Sequence, residues 1–146
     1  MTSAEPQIIE EMFVQVARGS SSGDGVLTLS GVSPSTLYFS DRPERVVGHV
    51  TTQQFVDQWS EGDNSFASDP PNAVLSFVDP GGDRPDDCVV VLREPAVDSD
   101  SIRYAIEVLE GSVPSSSGPC TLFIDPVGRP LSPVSVAGMR RRDRRR

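Results

Sequence analysis

The residues best suited to chemistry are Asp41, Arg42, Glu44, Arg45 and His49, which fall within the nine-residue run DRPERVVGH. A carboxylate or an imidazole there could serve as a general base, and two guanidinium groups could fork around a carboxylate or phosphate. A second group follows in the corner Asp69-Pro70-Pro71-Asn72, where two prolines pin the backbone and aim Asp69 and Asn72 in fixed directions. Asp41, Arg42, Arg45, His49, Asp69 and Asn72 are therefore the candidate ligand-binding set. The same residues have a purely structural reading. Asp41 would cap the turn before Pro43, the arginines would pair with carboxylates, His49 would sit at a strand edge, and the Pro-Pro corner would turn the chain into a core strand.

Other chemistry finds little support. The chain holds one His and two separated cysteines, Cys88 and Cys120, so no zinc or haem ligand set can be assembled and no cofactor is expected. Asp57, Glu61 and Asp63, and again Asp79, Asp83, Asp86 and Asp87, crowd locally without the D-x-D-x-D-G spacing of a calcium loop. They read as solvated acidic surface. No nucleophile elbow, phosphate-binding glycine loop or dinucleotide fingerprint is present, and a single His limits any triad to one arrangement. The balance leans away from an enzyme. The cysteines read as small buried hydrophobes, with a disulfide between them conceivable only outside a reducing compartment.

The elements that must position these residues are mostly strands. Thirteen prolines and twelve glycines punctuate 146 residues throughout, the pattern of many short strands joined by turns within one domain. Residues 11–16 fit either a helix face or a strand in which Met12, Val14 and Val16 alternate; Gly23-Asp24-Gly25 then favours a hairpin into residues 26–32. Further strands are expected at 36–40, 45–50, 73–79, 88–93, 101–111 and 120–125, with turn-rich loops at 80–87 and 94–100. In the stretch 101–111, Ile102, Tyr104, Ile106 and Val108 share one face. Residues 51–61 (TTQQFVDQWSE) break the β rhythm. Thr51 with Gln54 matches a capping box, Phe55 and Trp59 lie one turn apart, and Gly62 can stop the helix. The expected fold is mainly β: an antiparallel β-sandwich or partly closed barrel of about seven or eight strands with one short helix. Residues 1–10 read as an N-terminal extension, 11–125 as the β domain, and 126–146 as a flexible C-terminal arm.

The stretch TLYFSDRPERVVGHVTTQQFVDQW (36–59), with NSFASDPPNAVLSF (64–77), resembles a bacterial family of small proteins without an assigned activity. The blocks FSDRPxRxxGH and SFxxDPPNA carry the likeness, and a weaker LFID block extends it to about residue 125. The resemblance implies no substrate or cofactor, and the Arg-rich end lies outside it.

All thirteen cations are Arg, and the formal net charge is −8. Six of those arginines lie in residues 140–146 (RRRDRRR), so the rest of the chain is more acidic still. Such a body repels nucleic acid and anionic lipid, which leaves the tail as the one segment that could reach either. No apolar run approaches the roughly 20 residues that span a bilayer, and residues 1–10 lack the basic start and apolar stretch of a signal peptide. A soluble cytoplasmic protein is expected, or a periplasmic or secreted one if a leader has been removed. The expected function is a non-enzymatic β-sandwich that binds a protein partner or itself. The alternative is a small-molecule ligand-binding protein or enzyme whose polar pocket joins the two candidate segments.

Overall fold

The computed structural model describes residues 12–40, 45–61, 65–78 and 86–125. In chain order these form β1 (Met12–Ala17), β2 (Gly19–Gly23), β3 (Val26–Ser30), β4 (Ser35–Ser40), β5 (Val46–Thr51), α1 (Thr52–Asp57), β6 (Asn72–Phe77), β7 (Cys88–Asp98), β8 (Ser101–Glu110), β9 (Ser116–Ser117) and β10 (Cys120–Asp125). The mainly β class with one short helix is as expected. The ten strands form a single sheet, in the order β5-β4-β1-β10-β6-β7-β8-β3-β2-β9, whose pairings are antiparallel throughout.

That order dictates the shape. β1 and β2 are separated by Arg18 alone, yet they stand third and ninth in the sheet. The sheet must therefore curl until its two ends approach, although among the described residues β5 and β9 remain its two edges and no barrel closes. Two backbone bonds tie the chain where it crosses between those ends, Arg18 N–H to the Ser30 carbonyl (2.9 Å) and Ser33 N–H to the Val16 carbonyl (2.8 Å), while Val32 N–H to the Asp100 carbonyl (2.8 Å) continues the β3–β8 pairing. The curl wraps the main apolar core, which includes Leu27, Leu29, Leu75, Phe77, Val90, Leu92, Ile102, Leu122 and Ile124, while Val74 and Val89 with Phe123 form a smaller buried cluster on the other face. Hydrophobic burial on this one concave face is the main source of stability.

Local chemistry explains most elements. Asp24 and Gly25 take φ of 55° and 76°, the left-handed pair that a two-residue type I′ hairpin turn requires, and so join β2 to β3. Thr51 caps α1 as a full capping box: its hydroxyl accepts from Gln54 N–H (2.9 Å), and Gln54 Oε1 accepts from Thr51 N–H (2.9 Å). The helix is shorter than the expected 51–61. It tightens after Gln58 into three-residue turns, as the bond from Glu61 N–H to the Gln58 carbonyl shows, and Gly62 lies outside the described residues. Phe55 and Trp59 plug the core within an aromatic cluster that includes Phe13, Phe66 and Tyr104.

Three expectations change. The count rises from seven or eight strands to ten because β2 (GSSSG) and β9 (SS) are built from residues with little strand preference. They are held by their neighbours, with Ser20 and Ser117 hydroxyls 2.6 Å apart across the pair. The stretch 94–100, expected to be a loop, is mostly strand: β7 runs to Asp98 across a bulge between Arg93 and Ala96, where Glu94 adopts φ of 54° and Pro95 needs no ladder donor. In β1 the alternating Met12, Val14 and Val16 do not face the core. Phe13, Gln15 and Ala17 do.

Candidate functional site

The structure spreads the candidate residues along the sheet. Asp41 and Arg42 lie outside the described residues. Arg45 stands just before β5 and is exposed, and His49 is exposed within β5, opposite Leu37 of β4. Asp69 is half-buried on the bend that leads to Pro70, its N–H donating to the Ser65 carbonyl at 3.0 Å. Asn72 is buried at the start of β6 and pairs in register with Asp125 and Val91. β4, β1 and β10 stand between β5 and β6. With three strands between them, His49 and Asn72 do not converge on one small molecule.

The cysteines are free and buried. Cys120 pairs with Phe77 and Cys88 with Leu75, so β6 lies between them and keeps them from bridging. Burial pushes the Cys120 thiol up from its ordinary value, and hydrogen bonds with Ser117 and Ser20 offset part of that rise. Among the described residues no three His, Cys, Asp or Glu gather to hold a metal. The open grooves include these two. One of about 300 Å³ is lined by Trp59, Phe66, Ala67, Pro70, Arg93 and Glu94. The other, of about 360 Å³, lies along the β2–β3 turn against Ile106 and Val108. Neither contains any of the six candidate residues.

The most ordered polar feature is one the sequence reading passed over. The Tyr104 hydroxyl donates to Gln15 Oε1 (2.6 Å), and Gln15 Nε2 donates to Thr36 Oγ1 (3.2 Å). The Thr36 and Thr52 hydroxyls are 2.8 Å apart, and Thr52 gives its proton to the Ser33 carbonyl (2.8 Å), so Thr36 is the donor to Thr52. Every donor along this chain points the same way, and the four side chains are buried. It ties β8 to β1, β4 and the start of α1. Burial drives the Tyr104 phenol far above the ordinary tyrosine range, against the smaller pull of its bond to Gln15. The phenol therefore stays protonated near neutrality, and the chain of hydrogen bonds braces the fold. Gln15 was its one visible signal, a polar residue between Val14 and Val16 in a strand that is otherwise apolar.

The opposite face of the same strands is where side chains reach outward. Met12 stands opposite Phe39, Val14 opposite Leu37, and Phe39 opposite Val47, so these residues form one apolar surface across β1, β4 and β5. Val47 is 78% exposed, Val16 48%, Leu37 46% and Phe39 40%. The surface runs out to β5, an edge strand whose sequence VVGHVT has none of the charged or proline residues that commonly guard such edges. Among the described residues this apolar surface runs from β1 to the β5 edge, with no further strand paired outside it. No family model matches the chain, and no curated protein or solved structure matches it.

Proposed function

We propose that this protein is a non-enzymatic β module that works through protein–protein contact, including contact between its own copies, on the outer face and edge of β5, β4 and β1. The observation that carries this reading is the apolar surface of Val14, Val16, Leu37, Phe39 and Val47, which gains nothing from exposure and borders an unprotected strand. The likeness to small bacterial proteins with the FSDRPxRxxGH and SFxxDPPNA blocks belongs to the same proposal and adds no activity to it. A ligand pocket uniting His49 with Asn72 has no comparable support, given the three strands between them.

Sedimentation of the full chain over a range of concentrations tests the reading, with Phe39→Asp as the control. The expected result is a concentration-dependent assembly that Phe39→Asp abolishes. The reading fails if the wild type stays monomeric and retains no binding partner that Phe39→Asp loses.

A further inference from the structure

We infer that the edge of β5 pairs with β5 of a second copy, antiparallel, about a two-fold axis through Gly48. The inference rests on the proposed protein-contact function and specifies one occupant and one register.

Backbone polarity comes first. Thr52 N–H donates to the Pro34 carbonyl at 2.8 Å, which extends the β4–β5 ladder in the register Thr51↔Ser35 and Val50↔Thr36. Hydrogen-bonded pairs alternate in an antiparallel ladder, so Val46, Gly48 and Val50 turn their N–H and C=O groups to β4. Val47, His49 and Thr51 turn theirs to the open side. Gln54 Oε1 already takes the Thr51 amide. Val47 and His49 are left, and among the described residues nothing pairs with that side of β5.

Symmetry then selects the register. A two-fold axis normal to the sheet pairs a central residue with its own twin and keeps the outer faces of both copies on one side. With the axis at Gly48, Val47 meets His49 of the second copy and His49 meets its Val47, which uses the open N–H and C=O of both residues. An axis at His49 would set Val47 against the capped Thr51. An axis at Val47 would require pairing at Arg45, which lies outside the strand.

Charge points to a copy of the same chain. The whole chain carries −8, so two copies repel unless their contact is free of like charge. Val46–Thr51 contains no Asp, Glu or Arg. Arg45 precedes the strand, while the helical segment after it carries Asp57 and Glu61, both exposed, and no cation. In this register Arg45 of each copy stands opposite Thr51 of the other, and the first turn of α1 that follows holds no acid, so the contact sets no like charges against each other.

Directly opposed hydrogen-bonded residues have Cα atoms about 5.5 Å apart, within disulfide range. The test is oxidation of Val47→Cys and His49→Cys proteins, separately and as a mixture. The native cysteines are buried and contribute no background. A disulfide-linked dimer is expected in the mixture and in neither protein alone. In parallel, His49→Pro deletes an N–H that faces away from β4, so the fold should persist while the dimer is lost. A dimer that crosslinks through Val47→Cys alone, or not at all, overturns this register. If that dimer is still abolished by Phe39→Asp, the broader reading stands. A strict monomer overturns the pairing and removes self-association, leaving capture of another protein by the outer face as a separate question that Phe39→Asp answers.

Discussion

The two faces of β1 and β4 depart from the usual arrangement at the middle of these strands, between the core-facing Phe13 and Ala17. Their core side presents Gln15 and Thr36, polar and buried, while their outer side presents Val14, Val16, Leu37 and Phe39, apolar and at least partly exposed. A one-residue slip would exchange the faces and bury more hydrocarbon. The inner hydrogen-bond chain resists it. Gln15, Thr36, Thr52 and Tyr104 satisfy one another only in this register, and each would become a buried orphan or lose its partner on slipping. Polar groups on the inside thus determine alignment, and the apolar groups released to the outside become available for contact.

The largest expected effect comes from cutting the inner chain at its middle. Gln15→Leu keeps similar bulk but leaves the Tyr104 hydroxyl without an acceptor and Thr36 without a donor. At about 1–3 kcal/mol for each of these two groups, the loss should be ~2–6 kcal/mol, read as a lower denaturant midpoint with an unchanged slope. Gln15→Leu with Tyr104→Phe should cost less than the two single changes together, because the second removes the orphan left by the first. Strict additivity would mean that the two groups do not act as a unit.

An intermediate effect should appear at high pH. Tyr104 has a raised pKa in the folded chain because burial penalises its phenolate. Below the ordinary tyrosine value of about 10 the group is protonated in both states, and stability does not depend on it. Above that value the unfolded chain releases a proton that the folded chain keeps, so stability falls as pH rises, by up to about 1.4 kcal/mol per pH unit. Cys120, raised mainly by burial, contributes the same sign from its ordinary value of 9.0 upward. Unfolding midpoints from pH 8 to 11 should fall, and Tyr104→Phe should flatten the upper part of that decline. No outer-face substitution should alter it.

How much of this was legible in the sequence depended on how local the cause was. The capping box at Thr51 and Gln54 spans three residues, and the Asp24-Gly25 turn spans two, so both could be read directly. The alternation of β8 was legible for Ile102 and Tyr104, both fully buried, but Val108 on the same side is 45% exposed because β3 ends opposite Ala105 and leaves that flank open. The hydrogen-bond chain joins residues 21 and 89 positions apart and could not be read before the strand order was known. Strand order also decided the candidate site. The DRPER-His and DPPN segments look like neighbours in sequence, but β1 and β10 come from opposite ends of the described chain and insert between β4 and β6. β2 and β9 carried no strand signal, since their serines pair only because adjacent strands hold them in place.

The smallest expected effect on stability separates the two faces most directly. Phe39 is 40% exposed and stands opposite Met12 and Val47 on the outer face, away from the core that Leu75, Phe77 and Leu122 fill. A carboxylate placed there stays hydrated, so Phe39→Asp should lower stability by no more than about 1 kcal/mol, the loss of some cross-strand contact. That is well below the cost of Gln15→Leu, although Gln15 is the polar residue and Phe39 the hydrophobic one. If Phe39→Asp instead unfolds the protein, the outer face is part of the folded core and the contrast between the faces collapses. If it leaves the melting temperature nearly unchanged while abolishing assembly, the hydrocarbon on that face is retained for contact, and the inner hydrogen-bond chain is what makes its exposure tolerable.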